Sequence, residues 1–260
     1  MEIKSVNVNN SEIDYLKFWD GEKAFVVIPW LSLKSVLLNA DFVISAFSKF
    51  TKKYTVYLFD RLKVIPDNYS IFDIADDTFY AMSNVWITSC DVFWASQWWM
   101  IAQCIVIKHP NFIEKLILWS TSSKVDLNAS DIFTKRINLA RNKKISELNE
   151  DMANHIYSKK TLEDYWDILL SVPELNWDEL DKFIKLTSSL INFNIESDLS
   201  NIKCKTFVIW SNDDLIFWWK SSEELSKALG CKVFLYDNYG HAVYDEAPDY
   251  SDRMLKFLNE

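Results

Sequence analysis

The sequence predicts an α/β fold: one mostly parallel sheet with helices on both faces and a single helical insertion. Three observations point there. Short apolar runs, suited to strands buried on both faces, alternate with helix-spaced amphipathic segments. The stretch 121–199 is rich in Lys, Asp, Glu and Asn, keeps helical periodicity and holds no convincing strand. No Pro/Gly/Ser linker, repeat or low-complexity tract divides the 260 residues. The expected organisation is a core of 1–120 and 200–260, with 121–199 as a helical cap or lid.

Residues 3–8 and 13–18 flank the turn-like Asn9-Asn10-Ser11 and predict a hairpin. AFVVIP at 24–29 and YTVYLFD at 54–60 predict buried strands. Ile71, Ile74, Ala75, Thr78, Phe79 and Met82 recur at helical spacing with Asp73, Asp76 and Asp77 between them. A strand at 90–94 leads into an apolar helix at 97–108, which stops before Pro110. Strands follow at 115–119, 205–210 and 232–237, and helices at 221–229 and 248–258.

Charge and composition exclude several functions. The 37 acidic and 28 basic side chains give a net charge of −9, with no basic block. That argues against nucleic acid or an anionic membrane as partner. A 49% hydrophobic content excludes disorder. Residues 1–10 are polar and lack the apolar core of a secretory signal. The longest clean apolar stretch, 24–31, is too short to span a bilayer, so a cytoplasmic protein is expected. Cys90, Cys104, Cys204 and Cys231 show no CxxC spacing and read as buried thiols. No three-ligand metal constellation and no G-x-G-x-x-G occurs, so no metal or dinucleotide cofactor is implied. One count is abnormal: 3 glycines against 12 tryptophans, where glycine usually makes up about 7% of residues.

The chemistry-bearing residues sit at strand ends. In Val92-Phe93-Trp94-Ala95-Ser96-Gln97-Trp98-Trp99 a strand runs directly into a helix with a serine at the turn. This is the layout of a nucleophile elbow, G-x-S-x-G, with tryptophan at each glycine position. Asp213 and Asp214 follow a later strand, and Gly240-His241 follows the last one, with Glu246-Ala247-Pro248 behind it. Glycine in place of tryptophan turns 94–103 into GASQGGMIAQ, 28–32 into IPGLS, 118–120 into LGS and 209–217 into IGSNDDLIF. These segments resemble the α/β-hydrolase family, and Gly240–Pro248 matches its G-H-x-x-x-x-E-x-P pattern without any replacement. The resemblance covers roughly 1–120 and 200–260, and the order serine, acid, histidine is the family's.

The resemblance implies a serine hydrolase cleaving an ester, thioester, lactone or related acyl bond of a small molecule, with no cofactor. Ser96 would attack the carbonyl, His241 would take and return the proton, and Asp214 would orient the imidazole. Asp213 is the alternative acid; Leu215-Ile216-Phe217 fits Asp214 better. Backbone N–H groups of Leu31 and Gln97 would form the oxyanion hole. Carbon–carbon bond hydrolysis, aminopeptidase activity and cofactor-free perhydrolysis use the same triad. A non-catalytic small-molecule binder on the same fold is the rival from another class, favoured if the tryptophans obstruct the elbow.

Other residues carry plainer expectations. His109 reads as a helix-end cap and His155 as surface or lid. Asp60-Arg61 resembles a structural pair of the family. Tyr165, Trp166 and Phe183 read as cap packing rather than pocket lining. The tryptophans at 30, 94, 98, 99, 119 and 210 fall at family glycine positions, and Trp19, Trp86, Trp218 and Trp219 also suit glycine. Twelve further glycines would bring the total to about 6%, near the usual share. With 24 lysines against 4 arginines, the chain suggests an A/T-rich gene. UGA codons meant as glycine but read as tryptophan would explain the pattern.

Overall fold

The structure, a computed structural model, describes residues 2–28, 31–95, 98–171 and 174–260; the side chains of Ile28, Trp94, Ala95, Trp98 and Trp99 also lie outside that description. Among the described residues eight strands form one sheet: β1 (Lys4–Val8), β2 (Ser11–Phe18), β3 (Lys23–Ile28), β4 (Tyr54–Leu62), β5 (Cys90–Ala95), β6 (Ile113–Trp119), β7 (Lys205–Ser211) and β8 (Lys232–Tyr236). Their spatial order is β1-β2-β4-β3-β5-β6-β7-β8. The β1–β2 and β2–β4 pairs are antiparallel, and every pair from β4 to β8 is parallel. The predicted hairpin is β1–β2, with Val8 opposite Ser11 and Asn9 at φ 51° in the turn.

The helices are α1 (Ala40–Ala46), α2 (Ile71–Asn84), α3 (Trp98–Lys108), α4 (Leu127–Arg141), α5 (Ile145–Ile156), α6 (Lys159–Leu170), α7 (Trp177–Ser188), α8 (Lys220–Leu229), α9 (Val243–Glu246) and α10 (Tyr250–Leu258). Helix α1 was not foreseen, although Val36, Ala40, Val43, Phe47 and Phe50 recur at helical spacing and pack into one core; the α-helix is only seven residues long, between two 3-10 turns. The last helix starts two residues later than expected, at Tyr250.

Alternation along the strands feeds two cores. Val26, Phe59, Val92, Leu116, Leu118 and Val208 face the layer of α2, α3 and α8. Phe25, Val27, Leu58, Phe93, Ile117 and Ile209 face the layer of α1 and α10. Helix α2 shows why its segment folds locally. Ser70 and Asp73 cap it reciprocally, and Ile71, Ile74, Ala75, Thr78, Ala81 and Met82 give it one buried face.

Helices α4 to α7 lie in the chain between β6 and β7, as four successive helices. Asp126, Ser158 and Asn176 cap three of them with side-chain oxygens. Phe183 is fully buried, as expected of cap packing. Tyr165 and Trp166 are exposed, because α6 is kinked at Tyr165 and buries no residue. All four cysteines are free; Cys90 and Cys104 are buried, whereas Cys204 and Cys231 are only half-buried. Among the described residues no helix is long and apolar enough to cross a membrane.

Candidate active site

In an open α/β sheet, ligands bind beyond the carboxyl ends of the parallel strands. Here the ends of β3, β5, β6, β7 and β8 lead to residues 29–31, 96–97, 120, 212–214 and 237–241. Three residues past β7, Asp214 accepts hydrogen bonds at Oδ1 from the backbone N–H groups of Ile216 (2.8 Å) and Phe217 (3.1 Å). Its Oδ2 lies 2.8 Å from His241 Nδ1. Both side chains are almost wholly buried. Asp213, the alternative acid, instead accepts at Oδ2 from the backbone N–H of Asn238 (2.6 Å). The structure therefore brings Asp214, rather than Asp213, to the histidine.

The loop carrying His241 is fastened at several points. Ser120 Oγ donates to the His241 carbonyl (2.7 Å) and Ser211 Oγ to that of Tyr239 (2.5 Å). The Ala242 N–H donates to the carbonyl of Ile156, the last residue of α5 (2.9 Å). Glu246 accepts from Gly240 N–H at one oxygen (2.6 Å) and from Ser158 N–H at the other (2.8 Å). It thus ties the histidine loop to the start of α6. Gly240 permits this approach: a Cβ there would stand 2.5 Å from the Ile156 carbonyl oxygen. The glutamate of the G-H-x-x-x-x-E-x-P pattern stood in the sequence, but its clamping role needed the structure.

Leu31 is buried beside the end of β3. The following loop is held by Arg61, which donates to the Ser32 carbonyl (2.7 Å), to Ser32 Oγ (3.0 Å) and to the Lys34 carbonyl. Asp60 accepts from Ser35 Oγ and from the Arg61 N–H. The Asp60-Arg61 pair has the structural task expected of it, and burial pulls the Arg61 pKa down from its ordinary value. Ser96, Gln97 and Trp30 lie outside the described residues. In sequence, Ser96 and Gln97 join Ala95, which ends β5, to Trp98, which starts α3.

A cavity of about 420 Å³ opens beside His241. Leu31, Ile216 and the insertion residues Phe133, Arg136 and Met152 share its walls with the histidine. The volume falls within the ordinary range for small-molecule sites. Another concavity, of about 440 Å³, lies near the amino ends of the strands, around Gly21, Trp86 and Asp91, away from His241. His109 sits just past α3 with its ring stacked on Phe79 at 3.6 Å. His155 holds the Asp151 carbonyl through Nδ1 within α5 (2.7 Å). No group of three potential metal ligands occurs among the described residues.

Arg136 escaped the sequence reading. It lies buried in α4 with Nε 3.0 Å from Asp151 Oδ2. A signal was present: a chain with 24 lysines and 4 arginines keeps guanidinium groups at few places, and of these Arg136 is buried and Arg61 half-buried.

No family model matches the chain. A curated relative from Rhizobium rhizogenes (strain K84 / ATCC BAA-868), described as "Putative carbamate hydrolase RutD", is 23% identical over 199 residues, covering 75% of this chain and 76% of that protein. Among solved structures, MGS-M2, an alpha/beta hydrolase enzyme from a Medee basin deep-sea metagenome library, superposes with a TM-score of 0.87 at 20% identity, over 99% of this chain and 98% of that one. The enol-lactonase from Burkholderia xenovorans LB400 gives a TM-score of 0.85 at 18% identity, over 99% and 100% of the two chains.

Proposed function

From the α/β-hydrolase fold that this chain adopts, we propose a serine hydrolase that cleaves an acyl bond of a small molecule through an acyl-enzyme. The observation that carries the reading is the buried Asp214–His241 contact of 2.8 Å at the carboxyl edge of the sheet, beside a cavity and after an elbow serine in the chain. Ser96 is the nucleophile. As its Oγ adds to the carbonyl carbon, the proton passes to Nε2 of His241, whose Nδ1–H donates to Asp214. Two backbone N–H donors on Asp214 keep that carboxylate in place as the imidazolium forms. The tetrahedral oxyanion is met by the N–H groups of Leu31 and Gln97. Collapse expels the alcohol or amine, which takes the proton from His241. Water then repeats the sequence on the acyl-enzyme and releases the acid.

The helical insertion acts as the lid, since Phe133, Arg136 and Met152 help to wall the cavity. The enol-lactonase and the relative described as a carbamate hydrolase support lactones, esters and carbamates as the bond class. The test is fluorophosphonate labelling with turnover of p-nitrophenyl esters, in this chain and in a version with glycine at 30, 94, 98, 99, 119 and 210. Ser96→Ala must remove both signals. Turnover that survives Ser96→Ala, or no labelling in either chain, sinks the serine mechanism and leaves the binding-protein reading.

A further inference from the structure

We infer that the substrate carries a free carboxylate and that Arg136 receives it across the cavity from His241. The anion site stands on its own observations; the reacting carbonyl opposite it rests on the serine-hydrolase reading above.

Arg136 is only 2% exposed yet belongs to the cavity wall. Its Nε is engaged by Asp151, and its Nη2 is buried with no hydrogen-bond partner among the described residues. A guanidinium stays charged in proteins and offers five donors in a fixed fork. Leaving one unsatisfied in the interior is unfavourable, and an acceptor in the adjoining cavity would relieve it once the guanidinium turns Nη2 toward the cavity.

The local charge agrees. Asp151 is shared between Arg136 and Lys135, whose Nζ lies 2.6 Å from Oδ1. One carboxylate therefore serves two cations, and the cluster keeps a positive excess of one. Although burial opposes it, the hydrogen bonds of Lys135 and Arg136 hold the Asp151 carboxyl below its ordinary value, so it stays ionised. Across the whole chain the net charge is −9, but the described walls of this cavity include Lys34 and Arg136 and no Asp or Glu. Lys34 is 3.6 Å from Glu179, whereas Arg136 has the buried, unmet donor. A cationic cavity in an acidic protein favours an anionic ligand. An excess of one charge, on a planar fork, matches a monovalent carboxylate better than a phosphate dianion. The remaining surface offered by Phe133, Met152, Leu190 and Ile216 suits a short hydrocarbon spacer between carboxylate and scissile carbonyl.

The test uses two pairs of esters. In one the carboxylate is on the acyl side: p-nitrophenyl hydrogen glutarate against p-nitrophenyl methyl glutarate. In the other it is on the alcohol side: 4-carboxyphenyl butyrate against its methyl ester. In one pair the acid should show a KM lower by about tenfold with similar kcat, the scale of one charge-assisted contact. Arg136→Gln should erase that preference by bringing the KM of the acid to that of its methyl ester, and Arg136→Lys should restore part of it. No preference in either pair, or a preference that survives Arg136→Gln, overturns the inference. If Arg136→Gln fails to fold by circular dichroism, the wild-type pairs and Arg136→Lys decide it. If no ester is turned over, the serine-hydrolase reading has failed separately, and calorimetry of monomethyl glutarate against dimethyl glutarate decides the anion site. Monomethyl glutarate binding to the unmodified chain and not to Arg136→Gln supports it; no monomethyl glutarate binding overturns it.

Discussion

Trp19, Trp86, Trp119 and Trp210 of the sheet region are held differently from Trp166 and Trp177 of the helical insertion. In the sheet region Trp19 and Trp86 have φ of 62° and 68°, a left-handed backbone that bulky L-residues avoid. Trp119 and Trp210 are fully buried, and the indole N–H of each lacks a hydrogen-bond partner among the described residues, although buried indoles usually find one. In the insertion, Trp166 and Trp177 lie on helices at ordinary exposed positions, and Lys143 sits 5.5 Å from the centre of the Trp177 ring. The difference shows what each region demands. Strand ends and turns impose backbone conformation and close approach on particular residues. The insertion asks only for amphipathic periodicity and good caps. The first brings Asp214 to His241; the second contributes Phe133, Arg136 and Met152 to the cavity wall.

The largest expected effect concerns the strand-end chemistry. Asp214→Asn should lower kcat by roughly 10⁴-fold, because it unsettles the histidine tautomer while preserving shape. Asp213→Asn should stay within about tenfold, since Asp213 holds the Asn238 N–H and not the imidazole. Steady-state ester hydrolysis reads both. The opposite ranking would move the acid to Asp213 and break the assignment drawn from the His241 contact.

Next comes the glycine-restored chain. Glycine at 30, 94, 98, 99, 119 and 210 should raise ester turnover by at least about 100-fold, the worth of one correctly aimed oxyanion donor. It should also raise the unfolding midpoint, since overpacked core sites cost about 1–3 kcal/mol each. Trp119 makes this a sharp test. Its ring meets Phe93 at 5.6 Å and Tyr250 at 5.8 Å, so if that packing is native, its loss should cost about 3–5 kcal/mol. A gain in stability would mean that the neighbours close over a site shaped for glycine. The coding DNA should then carry UGA at these codons, and peptides from the native source should weigh as glycine.

The junction between the two regions contains a smaller, pH-dependent effect. Burial, with Glu246 beside it, pushes the Asp245 carboxyl up to about 8, and its Oδ1 has no partner among the described residues. Between about pH 4 and pH 8 the unfolded chain has lost this proton while the folded chain keeps it, so stability falls as pH rises through that window. Asp245→Asn removes the dependence. Urea unfolding should find the variant more stable by about 1–3 kcal/mol at pH 8, with the gain shrinking toward pH 4. An equal change at both ends of the range would mean that Asp245 does not titrate on folding.

The legibility of the chain follows the same division. The short apolar runs of β3 to β8 and the apolar stripe of α2 follow local rules, and they are plain in the sequence. The acid and the histidine each follow a strand, and the structure brings that pair together; Ser96, expected after β5, lies outside the described residues. Asp213 and Asp214 are neighbours in sequence; Leu215-Ile216-Phe217 favoured Asp214 there, and the turn in which Oδ1 of Asp214 accepts from the Ile216 and Phe217 N–H groups separates the two in the structure. Arg136 and Asp151 lie 15 residues apart on two helices, so their pairing depends on how α4 and α5 pack. Ser158 and Glu246 are separated by 88 residues, a distance at which no periodicity connects them.

The smallest effect isolates the comparison in two exposed residues. Helix α2 ends with the Ile87 N–H bonded to the Met82 carbonyl (3.1 Å) and Trp86 in the left-handed position between them. Helix α8 ends the same way: Cys231 N–H bonds to the Ser226 carbonyl (3.0 Å), and the left-handed residue is Gly230. This is the helix-ending motif that favours glycine, so Trp86 stands where Gly230 stands. Lys143 fills the equivalent position after α4 at φ 56°, so another residue is tolerated there at a cost. Trp86 is 89% exposed, which leaves little packing to lose. Trp86→Gly should therefore stabilise the chain by about 1 kcal/mol, visible as a rise of about 2–4 °C in Tm for a domain of this size. Trp177, the first residue of α7, is in the opposite situation: its backbone is helical and its ring contacts Lys143. Trp177→Gly should cost about 0.5–1 kcal/mol through backbone entropy. Paired thermal melts of the two variants decide the matter. Opposite signs support glycine geometry in the sheet region and ordinary tryptophan in the insertion. Two losses would mean that the chain has accommodated Trp86 as fully as Trp177.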